Sequence, residues 1–165
     1  MRRFLITSSD ERTWNFEKPI IFLGEWCKKY SRKHIWEKLD HITASPYGIK
    51  FKQKEIDAKI AFEIENNLIL KITKTLNTLH KVNYNERNWM IILGPWIRRY
   101  STLIVNRVGV LKKCINDHEI LDTCFVNGDK NFLIKVDSES SVNAFEDVLW
   151  NQYLNHELLK ILNNK

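Results

Sequence analysis

Two short apolar runs near the amino terminus are each followed by residues that could do chemistry. The run at residues 4–7 precedes Asp10, Glu11, Arg12 and Trp14, and the run at residues 19–23 precedes Gly24, Glu25, Trp26 and Cys27. In α/β proteins, residues that follow buried strands often contact the ligand at the edge of the sheet. A carboxylate there can bind a hydroxyl or act as a general base, so Glu25 and Asp10 are the candidate catalytic residues.

Both carboxylates also have an ordinary structural interpretation. Glu25 is equally consistent with a solvated turn in which it pairs with Lys28 or Lys29. Asp10 is equally consistent with a helix cap or a turn residue. The sequence leaves these alternatives open.

Two segments share a layout of glycine, tryptophan and basic residues. Gly24 and Trp26 are followed by a basic cluster that begins at Lys28, and Gly94-Pro95-Trp96 is followed by two arginines. Cations beside an indole can hold a phosphate or a sugar ring. The candidate substrate-binding residues are therefore Glu11, Arg12, Trp14, Trp26, Lys28, Trp96, Arg98 and Arg99. The alternative is that the tryptophans are core residues and the cations form a solvated face.

The cysteines and histidines do not suggest a metal or a nucleophile. Cys27, Cys114 and Cys124 are odd in number and widely spaced, which favours reduced thiols, and no Cys or His pair has zinc-ligand spacing. Cys27 would need a histidine partner to be a nucleophile, so a buried structural cysteine is the favoured interpretation. Phosphate-loop, dinucleotide and hydrolase-elbow motifs are also missing, and we predict neither a metal nor a cofactor.

These residues must be positioned by a mixture of strands and helices. Apolar runs predict strands at 4–8, 19–23, 120–126 and 131–136, the last two forming a hairpin or entering separate places in the sheet. Apolar residues at three- or four-residue steps from Ile56 to Leu79 predict one long amphipathic helix over 52–82. A second helix is predicted to begin with a capping box of Asn83 and Glu86 and to run to about 107, with a kink or restart at Gly94-Pro95.

A final helix is predicted over residues 144–162. The fold class that follows is α/β: one helix-rich domain over 1–165, with a small, mostly parallel Rossmann-like sheet and long amphipathic helices. The length of 165 residues fits one domain of ordinary size.

The charge of the chain points to an anionic partner. Residues 1–113 hold 22 Lys and Arg against 11 Asp and Glu, a net +11, whereas residues 114–165 hold 4 against 9, a net −5. The partner could be a phosphorylated small molecule, nucleic acid or a membrane surface, or the two parts could match each other. Nucleic acid is disfavoured because no nucleic-acid fold signature is present. No apolar run is long enough to span a membrane or to act as a signal peptide, and a cytoplasmic location is predicted.

Four phrases in order resemble a bacterial family of transferases associated with surface-polysaccharide gene clusters, such as O-antigen and capsule loci. They are Thr7-Ser8-Ser9-Asp10-Glu11-Arg12-Thr13-Trp14, Phe22-Leu23-Gly24-Glu25-Trp26-Cys27, Leu76-Asn77-Thr78-Leu79-His80 and Trp89-Met90-Ile91-Ile92-Leu93-Gly94-Pro95-Trp96. The resemblance runs from about residue 4 to residue 107, and the segment from Asp147 to Asn151 looks similar too. The motif positions that carry over are Asp10, Glu11, Arg12, Trp14, Glu25, Trp26, Trp89, Gly94, Pro95 and Trp96.

The resemblance implies a glycosyl or related transferase in surface-polysaccharide biosynthesis. Members of the family are longer, with a carboxy-terminal half that looks like the nucleotide-sugar-binding half of a two-domain glycosyltransferase. This chain would then be the amino-terminal, acceptor-side part, truncated or split from its sugar-nucleotide-binding half and not active alone. Its substrate would be a sugar or a phosphorylated small molecule. The alternatives are a basic binding module for nucleic acid or anionic surfaces, and an inactive folded fragment.

Overall fold

The computed structural model describes residues 1–163 and divides into two compact units. We call Met1–Tyr47 together with Val110–Lys165 the sheet unit, and Gly48–Gly109 the helical unit. The strands are β1 (Arg3–Ile6), β2 (Ile20–Phe22), β3 (His41–Thr43) and β4 (Ile120–Thr123). The helices are α1 (Lys33–Trp36), α2 (Phe51–His80), α3 (Glu86–Asp117), α4 (Ser138–Ala144) and α5 (Val148–Asn163). Within the described residues, no helix is both long and apolar enough to cross a membrane.

The sheet unit is built on a four-stranded, all-parallel sheet with the order β3-β2-β1-β4. β1 and β2 lie in register, with Leu5 opposite Ile21 and Ile6 opposite Phe22. All four of these residues are fully buried, as expected of parallel strands covered on both faces. The sheet and the long helices confirm the predicted α/β fold class.

The order of the strands places a topological switch in the sheet. The chain steps from β1 to β2 and then to β3 on one side, and β4 pairs with the opposite edge of β1. The strand order therefore reverses between β1 and β4. In open α/β sheets such a switch creates a crevice at the carboxyl ends of the strands, where ligands bind.

One of the predicted strands is wrong. Residues Lys130–Leu133 form a short 3₁₀ helix instead of a strand. The Asp129 carboxylate starts this turn because its Oδ1 accepts a hydrogen bond of 3.0 Å from the backbone N–H of Asn131. Such side-chain caps compete with strand formation. The remaining strand of the sheet is β3, for which no strand was predicted from the sequence.

The helical unit confirms the predicted long helix and part of its apolar face. α2 runs over Phe51–His80, and its buried residues are Ala61, Glu65, Ile69 and Thr73. Of the predicted apolar positions, Leu68, Ile72 and Leu76 pack against the core of the unit, whereas the earlier positions Ile56, Ile60 and Ile64 are exposed. The core of this unit is formed by Ile69, Trp89 and Ile97. Burial of each such side chain contributes about 1.5–3 kcal/mol to folding.

The second long helix begins later and ends later than predicted. Its cap is formed by Asn85 and Asn88, whose side-chain oxygens each accept a hydrogen bond from the other's backbone N–H at 3.0 and 3.2 Å. The predicted box of Asn83 and Glu86 is therefore wrong. α3 continues without a restart through Pro95 and extends to Asp117.

The carboxy-terminal part of the sheet unit contains two helices where one was predicted. α4 ends at Ala144 and α5 begins at Val148. Asp147 separates them, because its carboxylate accepts a hydrogen bond of 2.7 Å from the backbone N–H of Trp150 and so caps α5. Trp150 is fully buried and anchors this helix in the core of the sheet unit.

Candidate functional site

The loops after β1 and β2 leave the sheet at the same edge. The two strands end level because they are in register, and the backbone N–H of Leu23 donates to the carbonyl of Ile6 at 2.8 Å. Each loop turns at once into a short 3₁₀ helix, Glu11–Thr13 after β1 and Glu25–Cys27 after β2. The polar residues identified in the sequence are therefore presented at the carboxyl edge of the sheet.

Three of the predicted site residues come together in an open pocket of about 520 Å³ in the sheet unit. They are Asp10, Glu11 and Arg12. The lining is completed by Ser9, Lys29, Ser31, Arg32, Val148 and Leu149. We call this the outer pocket. It contains three cations and two carboxylates, so its lining carries a net charge of +1.

The two carboxylates of the outer pocket are held by arginines. Arg12 donates to both oxygens of Asp10, with Nη2 2.6 Å from Oδ2 and Nε 3.0 Å from Oδ1. Arg32 binds Glu11 through two parallel hydrogen bonds of 2.7 Å. These hydrogen bonds hold the pKa of Asp10 and the pKa of Glu11 below their usual values. Because a lowered pKa makes a carboxylate a weaker base, the pairing favours a binding role for Asp10.

Lys29 is the cation of the outer pocket that is left for a ligand. Its side chain is exposed, and after the arginine hydrogen bonds its charge adds a smaller part to the lowering of the pKa of Asp10 and of Glu11. Its ammonium group forms no ion pair with any residue in the described part of the chain. Val148 and Leu149 belong to the first turn of the 16-residue helix α5, where the helix dipole favours an anion, and the Asp147 carboxylate already caps this end through the backbone N–H of Trp150.

The chain matches the model of the LIC12162 family transferase over residues 3–165. It belongs to this transferase family. No curated protein matches the chain, and no solved structure matches it. The family match covers both units, and therefore includes the residues of the outer pocket.

In this member of the LIC12162 family, Glu25 and Lys28 pair with each other at the end of β2. The Lys28 ammonium lies 3.0 and 3.1 Å from the two Glu25 oxygens, and it also donates to Thr43 Oγ1 at 2.9 Å. The Glu25 side chain is 77% exposed. Trp26, also exposed, rests on Gly24, where an added Cβ would lie only 2.2 Å from the indole ring. These residues are not part of the lining of the outer pocket.

Trp14 does not line the outer pocket, but it stabilises the loop that carries the pocket residues. Its indole is buried, packs edge to face on Phe22 at 5.1 Å, and donates to the carbonyl of Ser8 at 3.1 Å. Ser8 and Ser9 lead into Asp10, so this hydrogen bond orients the loop that carries the pocket residues. The structure thus places Trp14 in the core of this LIC12162 family transferase.

The remaining predicted site residues belong to the helical unit. Trp96 stacks on Tyr100 with ring centroids 5.4 Å apart. Arg98 forms two hydrogen bonds, of 3.0 and 3.1 Å, with the buried carboxylate of Glu65. Arg99 is exposed. The sequence predicted the same substrate-binding role for Arg98 and Arg99. In the structure Arg98 forms a structural ion pair with Glu65.

Sequence reasoning missed four polar residues of the outer pocket. Ser9, Lys29, Ser31 and Arg32 line it, although only Lys28 was selected from the basic cluster. The sequence did contain an indication of Lys29 and Arg32, because both belong to the basic cluster that begins at Lys28. The segment from Asp147 to Asn151, which resembles the family, was an indication of the pocket residues Val148 and Leu149 at the start of α5.

The sheet unit contains another pocket. A pocket of about 730 Å³ lies where α3 ends and β4 begins, and none of the predicted site residues line it. Among residues 1–163, no three His, Cys, Asp or Glu side chains are grouped as metal ligands would be.

Proposed function

We propose that this LIC12162 family transferase binds a phosphorylated sugar substrate in the outer pocket. One observation carries the proposal: Lys29 lines a pocket whose other charges are already paired, next to the backbone N–H groups of Val148 and Leu149 at the start of α5. A phosphate has the charge and the acceptor oxygens that these groups require. The hydroxyls of Ser9 and Ser31 supply further hydrogen bonds at the rim of the same pocket.

The paired carboxylates of the outer pocket suit the sugar part of such a substrate. Asp10 and Glu11 are held in one position by Arg12 and Arg32, so they lose little side-chain freedom when a ligand binds. An ionised carboxylate accepts hydrogen bonds from sugar hydroxyls. In this proposal Asp10 orients an acceptor hydroxyl. Glu25, the other candidate catalytic residue, pairs with Lys28 outside the lining of the outer pocket, so a role as general base requires the substrate to extend to the end of β2 and to displace Lys28.

The finer role that we propose follows from the resemblance of the four sequence phrases. The chain would be the acceptor-side part of a cytoplasmic glycosyl or related transferase in surface-polysaccharide biosynthesis. Its partner would be a half that binds the sugar nucleotide. The parallel sheet with ligand-facing loops at its carboxyl edge is the kind of scaffold that such a role needs.

The test is a calorimetric titration of the chain with glucose 1-phosphate and with inorganic phosphate. We expect Lys29→Gln to weaken the binding of both about 10- to 100-fold, because a hydrogen bond to a charged group contributes about 1.5–3 kcal/mol. The matched control is Lys33→Gln, which removes a nearby exposed lysine that lies outside the pocket and near Glu37.

The control variant should bind both probes as the unmodified chain does. The proposal is wrong if neither probe binds, or if Lys29→Gln and Lys33→Gln weaken binding equally. Equal losses would indicate a diffuse basic surface instead of a site, and they would favour the anionic-surface alternative.

A further inference from the structure

Three uncharged polar side chains are buried where β1 ends against α5. Thr7 is 2% exposed, Gln152 0% and Asn155 2%. Asn155 Nδ2 lies 3.5 Å from the carbonyl oxygen of Thr7 and donates to it. Gln152 precedes Asn155 by three residues and therefore lies on the same face of α5. We call these three residues the inner polar cluster.

The inner polar cluster has hydrogen-bonding groups that the protein does not use. Within the described residues, no partner is found for Thr7 Oγ1, for Gln152 Oε1 and Nε2, or for Asn155 Oδ1. Buried polar atoms without partners are costly, and native proteins keep few of them. Four such atoms on three neighbouring side chains therefore indicate a partner that is not part of this chain.

The inner polar cluster and the outer pocket are built from the same two elements. The loop after β1 carries Thr7 and continues to Ser9 and Asp10 in the pocket. On α5, Val148 and Leu149 line the pocket, and Gln152 lies four residues after Val148 and three after Leu149. Gln152 thus lies one helical turn deeper than the pocket lining, on the same side of α5. β1 is also the strand beside the topological switch, where ligands enter open α/β sheets.

We propose that the inner polar cluster binds the uncharged part of the substrate whose phosphate occupies the outer pocket, an inference that rests on the proposed function. The cluster contains no charged group and offers both donors and acceptors. It is therefore suited to a group that is itself both donor and acceptor, namely the hydroxyls of a sugar ring or the edge of a nucleobase. Binding requires the loop after β1 and α5 to separate enough to admit this group.

The test compares Gln152→Leu with Gln53→Leu, which changes the other glutamine of the chain, in the helical unit. The full chain is titrated with inorganic phosphate, glucose 1-phosphate and uridine monophosphate. We expect Gln152→Leu to bind inorganic phosphate normally and to bind one of the two larger probes at least 10-fold more weakly. Loss for glucose 1-phosphate identifies hexose hydroxyls as the bound group, and loss for uridine monophosphate alone identifies the nucleoside. Gln53→Leu should bind all three probes as the unmodified chain does.

Thermal unfolding of the ligand-free variants provides the second readout. The Gln152→Leu change removes an amide that has no partner among residues 1–163, so it should not lower the unfolding temperature. The inference is overturned if the unmodified chain binds inorganic phosphate and Gln152→Leu binds every probe normally, because the amide then hydrogen-bonds ordered water. In that case the proposed function would stand. If no probe binds the unmodified chain, both are overturned. Thr7→Val, which removes only the Oγ1 hydroxyl, gives the same comparison if Gln152→Leu does not fold.

Discussion

Cys27 follows the conspicuous Gly24-Glu25-Trp26 turn, and its reactivity can be predicted from its burial. Its side chain is fully buried, and its Sγ lies 3.5 Å from the carbonyl oxygen of Ile6. Burial raises the pKa of the Cys27 thiol to about 12 from an ordinary value of 9.0. Burial also raises the pKa of Cys114, to about 11, whereas Cys124 is exposed.

The size of the effect follows from the shift in pKa. The shift of Cys27 from 9.0 to about 12 lowers its thiolate fraction roughly 1000-fold at pH 8, because each pH unit is a factor of ten. The corresponding factor for Cys114 is about 100. Since the thiolate is the reactive species, Cys124 should react first and Cys27 last. Below pH 12, the rate at Cys27 should rise about tenfold for each unit of pH.

The assay is labelling of the native chain with iodoacetamide at pH 8, followed by mass spectrometry of the cysteine peptides. Cys124→Ser is the informative variant, because it removes the exposed thiol and leaves the two buried ones. Native Cys124→Ser should show almost no labelling during the time in which the unmodified chain is labelled once. After unfolding in guanidinium, both remaining cysteines should react, which shows that the reagent is competent.

Rapid labelling of Cys27 in the native variant would refute this reasoning. It would show that the thiol is ionised or reached by solvent, as a catalytic nucleophile must be. The structural interpretation of Cys27, favoured from the sequence because no histidine could be placed beside it, would then be wrong.

Two further predictions concern stability. Arg98→Met should lower the thermal unfolding midpoint by about 4 °C or more, because it leaves the buried carboxylate of Glu65 without its partner. Arg99→Met is the control and should leave the midpoint nearly unchanged. Differential scanning calorimetry measures both midpoints, and equal shifts would contradict the assignment of a structural ion pair to Arg98. Gly128→Ala should destabilise the chain by about 1–3 kcal/mol in urea unfolding, because its Cβ would lie 1.1 Å from the Tyr153 hydroxyl. Unchanged stability would show that Tyr153 moves aside freely.

The sequence alone predicted the elements whose signals are local. The helical period over 52–82 corresponds to α2, and the apolar runs near residues 4, 20 and 121 correspond to β1, β2 and β4. These patterns are reliable because amphipathic spacing and buried apolar runs depend on neighbours within a few residues. The α/β class followed from those elements, as did the presence of polar residues at two adjacent strand ends.

Other features depended on competition between neighbouring groups that the sequence does not rank. Residues 130–133 are apolar enough for a strand, but the Asp129 carboxylate caps a 3₁₀ turn there. Asn83 and Asn85 are both good helix caps, and only Asn85 forms the reciprocal bonds with Asn88. Along α2 the sequence predicted one apolar line, and packing in the helical unit centred the buried face on Glu65, Ile69 and Thr73 beside it.

The outer pocket was decided by tertiary structure. The sequence identified Asp10, Glu11 and Arg12, and the register of β1 and β2 fulfilled the expectation that they lie at a sheet edge. It did not show that Arg12 and Arg32 would neutralise the two carboxylates, or that α5 would bring its first turn beside them. Arg32 and Glu11 are 21 positions apart, and the first turn of α5 lies more than 100 positions along the chain from both, so only folding of the sheet unit brings them together. Residue types determine which chemistry is available, but the pairing of charges, set by packing, determines which groups remain free to bind a ligand.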